Sequence, residues 1–223
     1  MFDAGSTGSR IHVYRFHKDY SGNLQLEDEL FEQVKPGLSS YPDNVEGARK
    51  SIDDLLKKAK DYIPEDQWDS TPVALKASAG LRILGEEKST PILKGVGQLL
   101  NDNPFDQKWE AEIMGGDKEA VYSWVTLNYL AGAFSKNDGK TYGTLDLGGG
   151  STQIAFKPTG GDTRNDWIMK EKVFGAEHSV YIHSYLGLGL MSARELVLGG
   201  PHEDSESEVT SPCFAQVGKK YEI

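Results

Sequence analysis

A single cysteine, Cys213, is the only thiol in the 223 residues, so no internal disulfide can form. It is either a plain buried side chain or half of a bridge whose partner lies downstream. No run of about 18 apolar residues occurs, so the chain carries no membrane segment, and its first twenty residues lack the charged-then-apolar pattern of a signal peptide. Basic residues are scarce as well: 24 Lys and Arg stand against 34 Asp and Glu, a formal charge of −10. They are scattered among acids rather than clustered, which argues against a nucleic-acid partner. Neither Gly-x-x-x-x-Gly-Lys-Ser/Thr nor a Gly-x-Gly-x-x-Gly between strand and helix is present, so a P-loop and a Rossmann dinucleotide site are both excluded. The five histidines, His12, His17, His178, His183 and His202, show no metalloprotease spacing and read as structural or surface residues. No Asn-x-Ser/Thr acceptor occurs.

Glycine, in contrast, is abundant at 25 residues, which points to tight backbone turns. A hydrophobic fraction of 38% with 4 Trp, 10 Tyr and 8 Phe is enough for a sizeable core, so a globular chain of one or two domains is expected. Alternation predicts strands over 11–16 and 24–34, joined by a turn at Ser21-Gly22-Asn23. Val45, Ala48, Ile52, Leu55, Ala59 and Ile63 recur at helical spacing and predict a helix ending before Pro64. Further on, the pattern predicts a strand over 73–77, a Ser-capped helix over 89–100, a strand over 109–114 and an apolar helix over 117–134. Strands over 142–147, 153–156 and 167–173 follow, then helical segments to about 198. His202 to Glu208 reads as a solvated acidic loop.

An offset of 143 positions pairs Asp3 with Asp146, Gly5 with Gly148, Ser9 with Thr152, Ile11 with Ile154 and Val13 with Phe156 without a gap. The chain therefore contains an internal repeat of strand, glycine hairpin and strand. Two such units imply two lobes facing across a cleft, with 1–140 as the first and 141–223 as the incomplete beginning of the second. Met1-Phe2-Asp3-Ala4-Gly5 leaves little room for the strand that should precede the first hairpin, which suggests a fragment.

The turn Asp3 to Ser9 is of the type Asp-x-Gly-Ser-Thr-Gly-Ser, and Asp146 to Thr152 repeats the design. Glycine lets successive backbone N–H groups converge on one anion, and the hydroxyls add donors. A carboxylate beside such a nest cannot favourably face phosphate unless a cation lies between them. Two nests with two acids therefore suit one divalent ion on a chain of phosphates.

At this point the residues resemble the apyrases, the nucleoside tri- and diphosphate phosphohydrolases, from Phe2 to about Cys213. Four blocks carry the resemblance: Phe2 to Arg10; Lys76-Ala77-Ser78-Ala79-Gly80-Leu81-Arg82; Glu119 through Trp124 to Asn128-Tyr129-Leu130; and Leu145 to Gln153. The stretch His183 to Leu190 looks most like the diphosphate-preferring branch of the secretory pathway. The resemblance implies an α/β chain with the actin-like ATPase superfamily fold, two ribonuclease-H-like lobes around a cleft, the second truncated. It implies metal-dependent hydrolysis of the terminal phosphate of nucleoside diphosphates such as GDP and UDP, and extends to triphosphates.

By position, Glu119 would activate the attacking water. Ser6, Thr7, Gly8, Gly149, Gly150 and Ser151 would hold phosphate oxygens. Asp3, Asp146, Ser78 and Gln153 would act on Ca2+ or Mg2+ through water, a mode that suits magnesium, which keeps most of its waters. A secretory-pathway lumen, endoplasmic reticulum or Golgi, or the extracellular space, is implied by the same resemblance alone. Ser78 stands where the family more often has threonine, and Ala120 replaces a usual glycine beside Glu119. Ser211-Pro212-Cys213-Phe214 resembles the first half of a family disulfide, and Arg82 is expected to brace the cleft wall. An exopolyphosphatase-like enzyme is the nearest alternative, although its hairpin usually ends in Glu where this chain has Gln153. A catalytically inactive nucleotide-binding fragment is the other.

Overall fold

The computed structural model describes residues 1–106, 110–135, 139–159 and 166–198. The start of the strand expected at 109, the acidic run 202–208 and Cys213 lie outside the described residues. The chain divides into two compact units, Met1–Gly115 and Gly116–Ile223.

In the first unit, β1 (Phe2–Ala4), β2 (Ser9–Lys18) and β3 (Leu24–Val34) form an antiparallel meander. The three-residue β1 is the strand for which the sequence leaves little room, and it lies at the centre of the sheet. It pairs with β2 on one side and, in parallel, with β4 (Leu75–Ala77) on the other; β4 pairs in parallel with β5 (Glu112–Ile113). The sheet order is β3-β2-β1-β4-β5. Side chains on a strand alternate between faces, so Phe2, Ala4, Ile11, Val13, Leu75 and Ala77 point into one buried layer. Against it pack α1 (Val45–Tyr62), through Ala48, Ile52, Leu55 and Leu56, and α3 (Glu86–Asn101), through Ile92, Val96 and Leu100. The α1 helix opens on Asn44, whose side chain accepts the Gly47 N–H at 2.8 Å, and stops before Pro64, as its apolar spacing predicts.

One element of this unit was not expected, and one expectation is corrected. A short helix, α2 (Ala79–Leu84), follows β4, and α3 starts at Glu86 rather than at a Ser89 cap. Gly85 separates the two helices with φ +83°, Glu86 and Glu87 occupy the dipole-favoured first turn, and Ser89 is buried within the helix.

In the second unit, α4 (Gly116–Leu130) packs on a sheet of order β6-β7-β9-β8, formed by β6 (Thr144–Leu147), β7 (Ser151–Phe156), β8 (Ile168–Val173) and β9 (Ala176–Leu186), with α5 (Leu190–Val197) after it. Ala120 and Trp124 of α4 meet Ala155, Val180 and Ile182 in its core. The expected boundary at 140 put this helix with the first sheet, whereas its apolar face lies on the second. The helix is also shorter than expected, and a separate 3-10 turn covers Ala133–Ser135.

Residues 176–186, expected to be helical, form the long strand β9. It pairs with β7 as the third strand of the second meander, while the expected third strand, β8, is the outer strand beyond it. The repeat itself is borne out by register. Phe2↔Ile11, Asp3↔Arg10 and Ala4↔Ser9 in the first unit reappear as Leu145↔Ile154, Asp146↔Gln153 and Leu147↔Thr152 in the second, each pair displaced by the same offset.

His178 on β9 stands edge-on to Trp124 and Phe134, and its Nδ1 is buried without a hydrogen-bond partner. Burial, reinforced by the positive charge of Lys157, holds its pKa below the usual 6.5. The folded state thus favours neutral imidazole, and its contribution is complete above the unfolded pKa and lost as pH falls below 6.5 toward the depressed value. Replacing His178 by Phe should reduce the fall in melting temperature between neutral and mildly acidic pH; equal falls in both proteins would remove His178 from the acid response.

Candidate functional site

Each glycine hairpin is a four-residue connection, Gly5 to Gly8 between Ala4 and Ser9 and Gly148 to Ser151 between Leu147 and Thr152. In the first, Asp3 lies beside Arg10 and Lys76 on neighbouring strands. Its Oδ2 accepts from the Arg10 guanidinium at 3.1 Å, and Lys76 pairs with Glu112 at 2.8 Å. Acid and base thus alternate across the sheet on the face opposite the core. These groups are partly solvent-exposed, so the ladder acts mainly to orient side chains.

Ser78 follows β4, and its N–H donates to Ala4 O at 3.1 Å, which places it beside β1. It stands at the N-cap of α2 with no side-chain capping bond, so its hydroxyl is not occupied in that role. Gly80 lies against Ser6: a Cβ there would fall 2.8 Å from Ser6 Cα. Arg82 donates to Met114 O, tying α2 to the end of β5. Ser6, Thr7 and Gly8 are thereby carried on a hairpin fixed by two glycine approaches, since a Cβ at Gly37 would lie 2.5 Å from Gly5 O.

In the second unit Asp146 is opposite Gln153, which is opposite Ser184 on β9. Directly paired residues share a face, so these three and Ser151, two residues before Gln153, lie on the face that α4 covers. Gln153 is 3% exposed, and its amide Nε2 is 2.7 Å from Ser151 Oγ, 3.0 Å from Ser184 Oγ and 3.1 Å from Glu119 Oε2. A carboxylate only accepts, so the amide nitrogen rather than the oxygen must face Glu119. Glu119 sits in the first turn of α4, next to the buried Ala120, whose small side chain lets the helix approach the sheet. The packing of Trp124 one turn further on sets that approach.

The structure thus brings Glu119, Gln153 and Ser151 into one hydrogen-bonded cluster and places Asp146 on their face. In the first unit it gathers Asp3, Ser78 and the first hairpin. Ser184 was missed by the sequence reading: its only signal is its register opposite Gln153, invisible while 176–186 was expected to be helical. The position paired with the aspartate also differs between the repeats. Arg10 turns to Asp3, whereas Gln153 turns to Glu119.

Among the described residues no group of three or more His, Cys, Asp or Glu side chains could hold a metal ion. A directly ligated protein cage therefore does not fit these residues. An ion held largely by water and phosphate, with single carboxylates acting through that water, does fit.

Comparison with known proteins gives the family. Residues 1–222 match the family model described as GDA1/CD39 (nucleoside phosphatase) family. The chain is 43% identical to human "Ectonucleoside triphosphate diphosphohydrolase 6" over 96% of its own length and 46% of that protein's. It is 45% identical to human "Nucleoside diphosphate phosphatase ENTPD5" over 89% of its length and 48% of that protein's, with comparable similarity to the Gallus gallus "Ectonucleoside triphosphate diphosphohydrolase 5". The chain spans about half the length of the curated relatives it matches. A solved structure described as "nucleoside triphosphate hydrolases from Neospora caninum" superposes with a TM-score of 0.61 at 18% identity, over 88% of this chain and 46% of that one. At that identity the likeness shows the fold, the actin-like ATPase type. By the match over residues 1–222 and by these relatives, the chain belongs to the GDA1/CD39 nucleoside phosphatase family.

Proposed function

We propose that the whole protein hydrolyses the terminal phosphate of nucleoside diphosphates, GDP and UDP among them, and of triphosphates, with water activated by Glu119. The observation that carries this reading is the bond from Gln153 to Glu119 together with that from Gln153 to Ser151. One buried amide ties a carboxylate to the hydroxyl of a glycine hairpin. This is the arrangement required if a base is to take a proton beside a phosphate held by that hairpin.

On this reading Ser6, Thr7 and Gly8 of one hairpin and Gly149, Gly150 and Ser151 of the other donate to phosphate oxygens. Glu119 Oε2, oriented by Gln153, accepts the water proton as the oxygen attacks phosphorus. One hydrogen of the Gln153 amide goes to Glu119 and keeps the carboxylate from rotating away, while the other is shared between the hydroxyls of Ser151 and Ser184. Asp3, Asp146, Ser78 and Gln153 would hold Ca2+ or Mg2+ through water, and the ion would supply positive charge against the phosphates. Family membership and the name of the human nucleoside diphosphate phosphatase ENTPD5 support the diphosphate preference. The prefix in the names of the ectonucleoside triphosphate diphosphohydrolase relatives supports placing the protein outside the cell or in the secretory lumen that leads there. No helix among the described residues is long and apolar enough to cross a membrane.

Release of inorganic phosphate from GDP, UDP and polyphosphate, with Mg2+ or Ca2+ and with excess chelator, tests the proposal. The expected result is nucleoside diphosphate hydrolysis that collapses to background in chelator. Undiminished turnover without divalent ions would overturn the metal assignment, and a preference for polyphosphate would favour the exopolyphosphatase-like alternative.

A further inference from the structure

The reaction described above leaves unused the segment that lies against the back of each glycine hairpin. In the second unit, Gly187 N–H donates to Gly150 O at 2.8 Å, Leu190 N–H to Gly148 O at 2.9 Å, and Met191 N–H to Gly149 O at 2.8 Å. Thr152 Oγ1 donates to Leu188 O at 2.6 Å, fastening the same segment from the other side. Across a trans peptide the carbonyl and the following N–H point in opposite directions. With the carbonyls of Gly148 and Gly149 drawn to the first turn of α5, the N–H groups of Gly149 and Gly150 are aimed away from it. The amides of that turn, which carry the positive end of the helix dipole, are occupied by the hairpin itself.

Gly189 makes this contact sterically feasible. A Cβ there would meet Ser151 N, Gly149 C and Gly149 O, all backbone atoms and all closer than 3 Å. Its φ of −83° is open to any residue, so close approach rather than backbone freedom requires glycine. The first unit has a counterpart. Gly37, with φ −70°, would place a Cβ 2.5 Å from Gly5 O and 2.7 Å from Ser6 O. Gly37 and Gly189 each stand three residues past the last strand of their meander, Val34 of β3 and Leu186 of β9, and each precedes a leucine that opens a helical turn, Leu38 and Leu190.

We propose that Gly37 and Gly189 are paired positioning residues: the missing side chain at each lets the segment after the meander seat against the hairpin and hold its amide donors toward phosphate. This rests on the phosphate-binding reading of the hairpins given above. A methyl group at either position pushes the segment off the hairpin and lets the donors turn. Displacements of about 1 Å in a catalytic array can lower turnover about 100-fold.

The test compares Gly189→Ala and Gly37→Ala with Gly175→Ala and Gly22→Ala in the whole protein. The last two glycines lie in hairpin turns with φ +82° and +83° and nothing within 4 Å of a Cβ, so their substitution strains the fold without touching either phosphate hairpin. Backbone amides labelled with 15N are titrated with inorganic phosphate, and kcat and KM for GDP are measured beside thermal melts. In the wild type and both turn variants, phosphate is expected to shift Gly149, Gly150, Ser6 and Thr7. Gly189→Ala should lose the first two shifts and Gly37→Ala the last two, because the carbonyls that Gly37 approaches belong to Gly5 and Ser6, each with kcat/KM for GDP down about 100-fold below its melting temperature, while the turn variants keep turnover even where they melt lower. Gly189→Ala and Gly37→Ala titrating and turning over like the turn variants would overturn the proposal, as would a wild type whose hairpin amides ignore phosphate. A wild type that hydrolyses no GDP would defeat the functional reading instead, leaving the phosphate titration to decide between loss, which supports the positioning role, and retention, which overturns it.

Discussion

Replacing Glu119 by Gln in the whole protein is expected to lower kcat about a hundred- to ten-thousand-fold, the range that general-base catalysis supplies. Glutamine keeps the size of the side chain and can present its Oε1 to Gln153, so the bond at 3.1 Å has a substitute acceptor and the cluster with Ser151 and Ser184 survives. What it cannot do is take a proton. KM should change little, because the hairpins rather than Glu119 grip the phosphates, and the loss falls on an interaction made in the transition state. If Glu119 merely favours the first turn of α4, the variant loses under about 1 kcal/mol of stability and keeps its turnover. Kinetics beside a thermal melt separates the two, and near wild-type kcat would remove Glu119 from the mechanism.

Gln153 to Leu would probe the same cluster from its other end. It leaves the carboxylate in place but deletes the donor that orients it, so a fall in kcat smaller than that of Glu119→Gln is expected. The melting temperature should also fall, since Ser151 and Ser184 lose a shared partner in a buried setting. A kcat loss as large as that of Glu119→Gln would mean that Gln153 does more than orient the base.

Elements whose signal is local were legible in the sequence. The limits of β3 and the face and end of α1 follow from periodicity, the turn at Gly22 and Pro64. The repeat was legible too, because both hairpins must satisfy the same backbone geometry and so keep the same glycine and hydroxyl pattern. What failed depends on contacts distant in sequence. β9 carries a period-two pattern from His178 to Tyr185, but Ile182, Leu186 and Leu190 stand four residues apart, a spacing that also fits a helix. Pairing with β7 and β8 on both sides decides for strand. The domain boundary failed similarly, since α4 reads as an apolar helix wherever it packs and only Ala155, Val180 and Ile182 assign it to the second sheet. For the site, residue identities came from motif and resemblance, while the wiring of Gln153 to Glu119 needed α4 laid on β7.

The 223-residue chain is expected to self-associate, and the repeat shows which surface drives it. Phe2, Ala4, Ile11 and Val13 form the buried inner row of the first sheet, each 8% exposed or less, beneath α1 and α3. Their partners at the same offset are Leu145, Leu147, Ile154 and Phe156, yet Leu145 is 78% exposed, Leu147 61% and Phe156 40%. In this sheet α4 covers the opposite face, through Ala155 and Gln153, and no helix among the described residues covers the equivalent of the first unit's core face, where Ile154 is half-buried. Burying one large apolar side chain contributes about 1.5–3 kcal/mol, so Leu145 and Leu147 on the edge strand β6, with Phe156 beside them on β7, supply the attraction that draws two acidic chains together. An edge strand also offers unpaired backbone groups to a second copy. Light scattering across a dilution series should therefore show dimers or larger species, and Leu145→Lys with Leu147→Lys should shift the chain toward monomer without lowering its melting temperature, because both positions are exposed in the monomer. A wild-type chain that stays monodisperse and monomeric at high concentration, or a double-lysine variant that associates equally well, would show that this face is not the adhesive one.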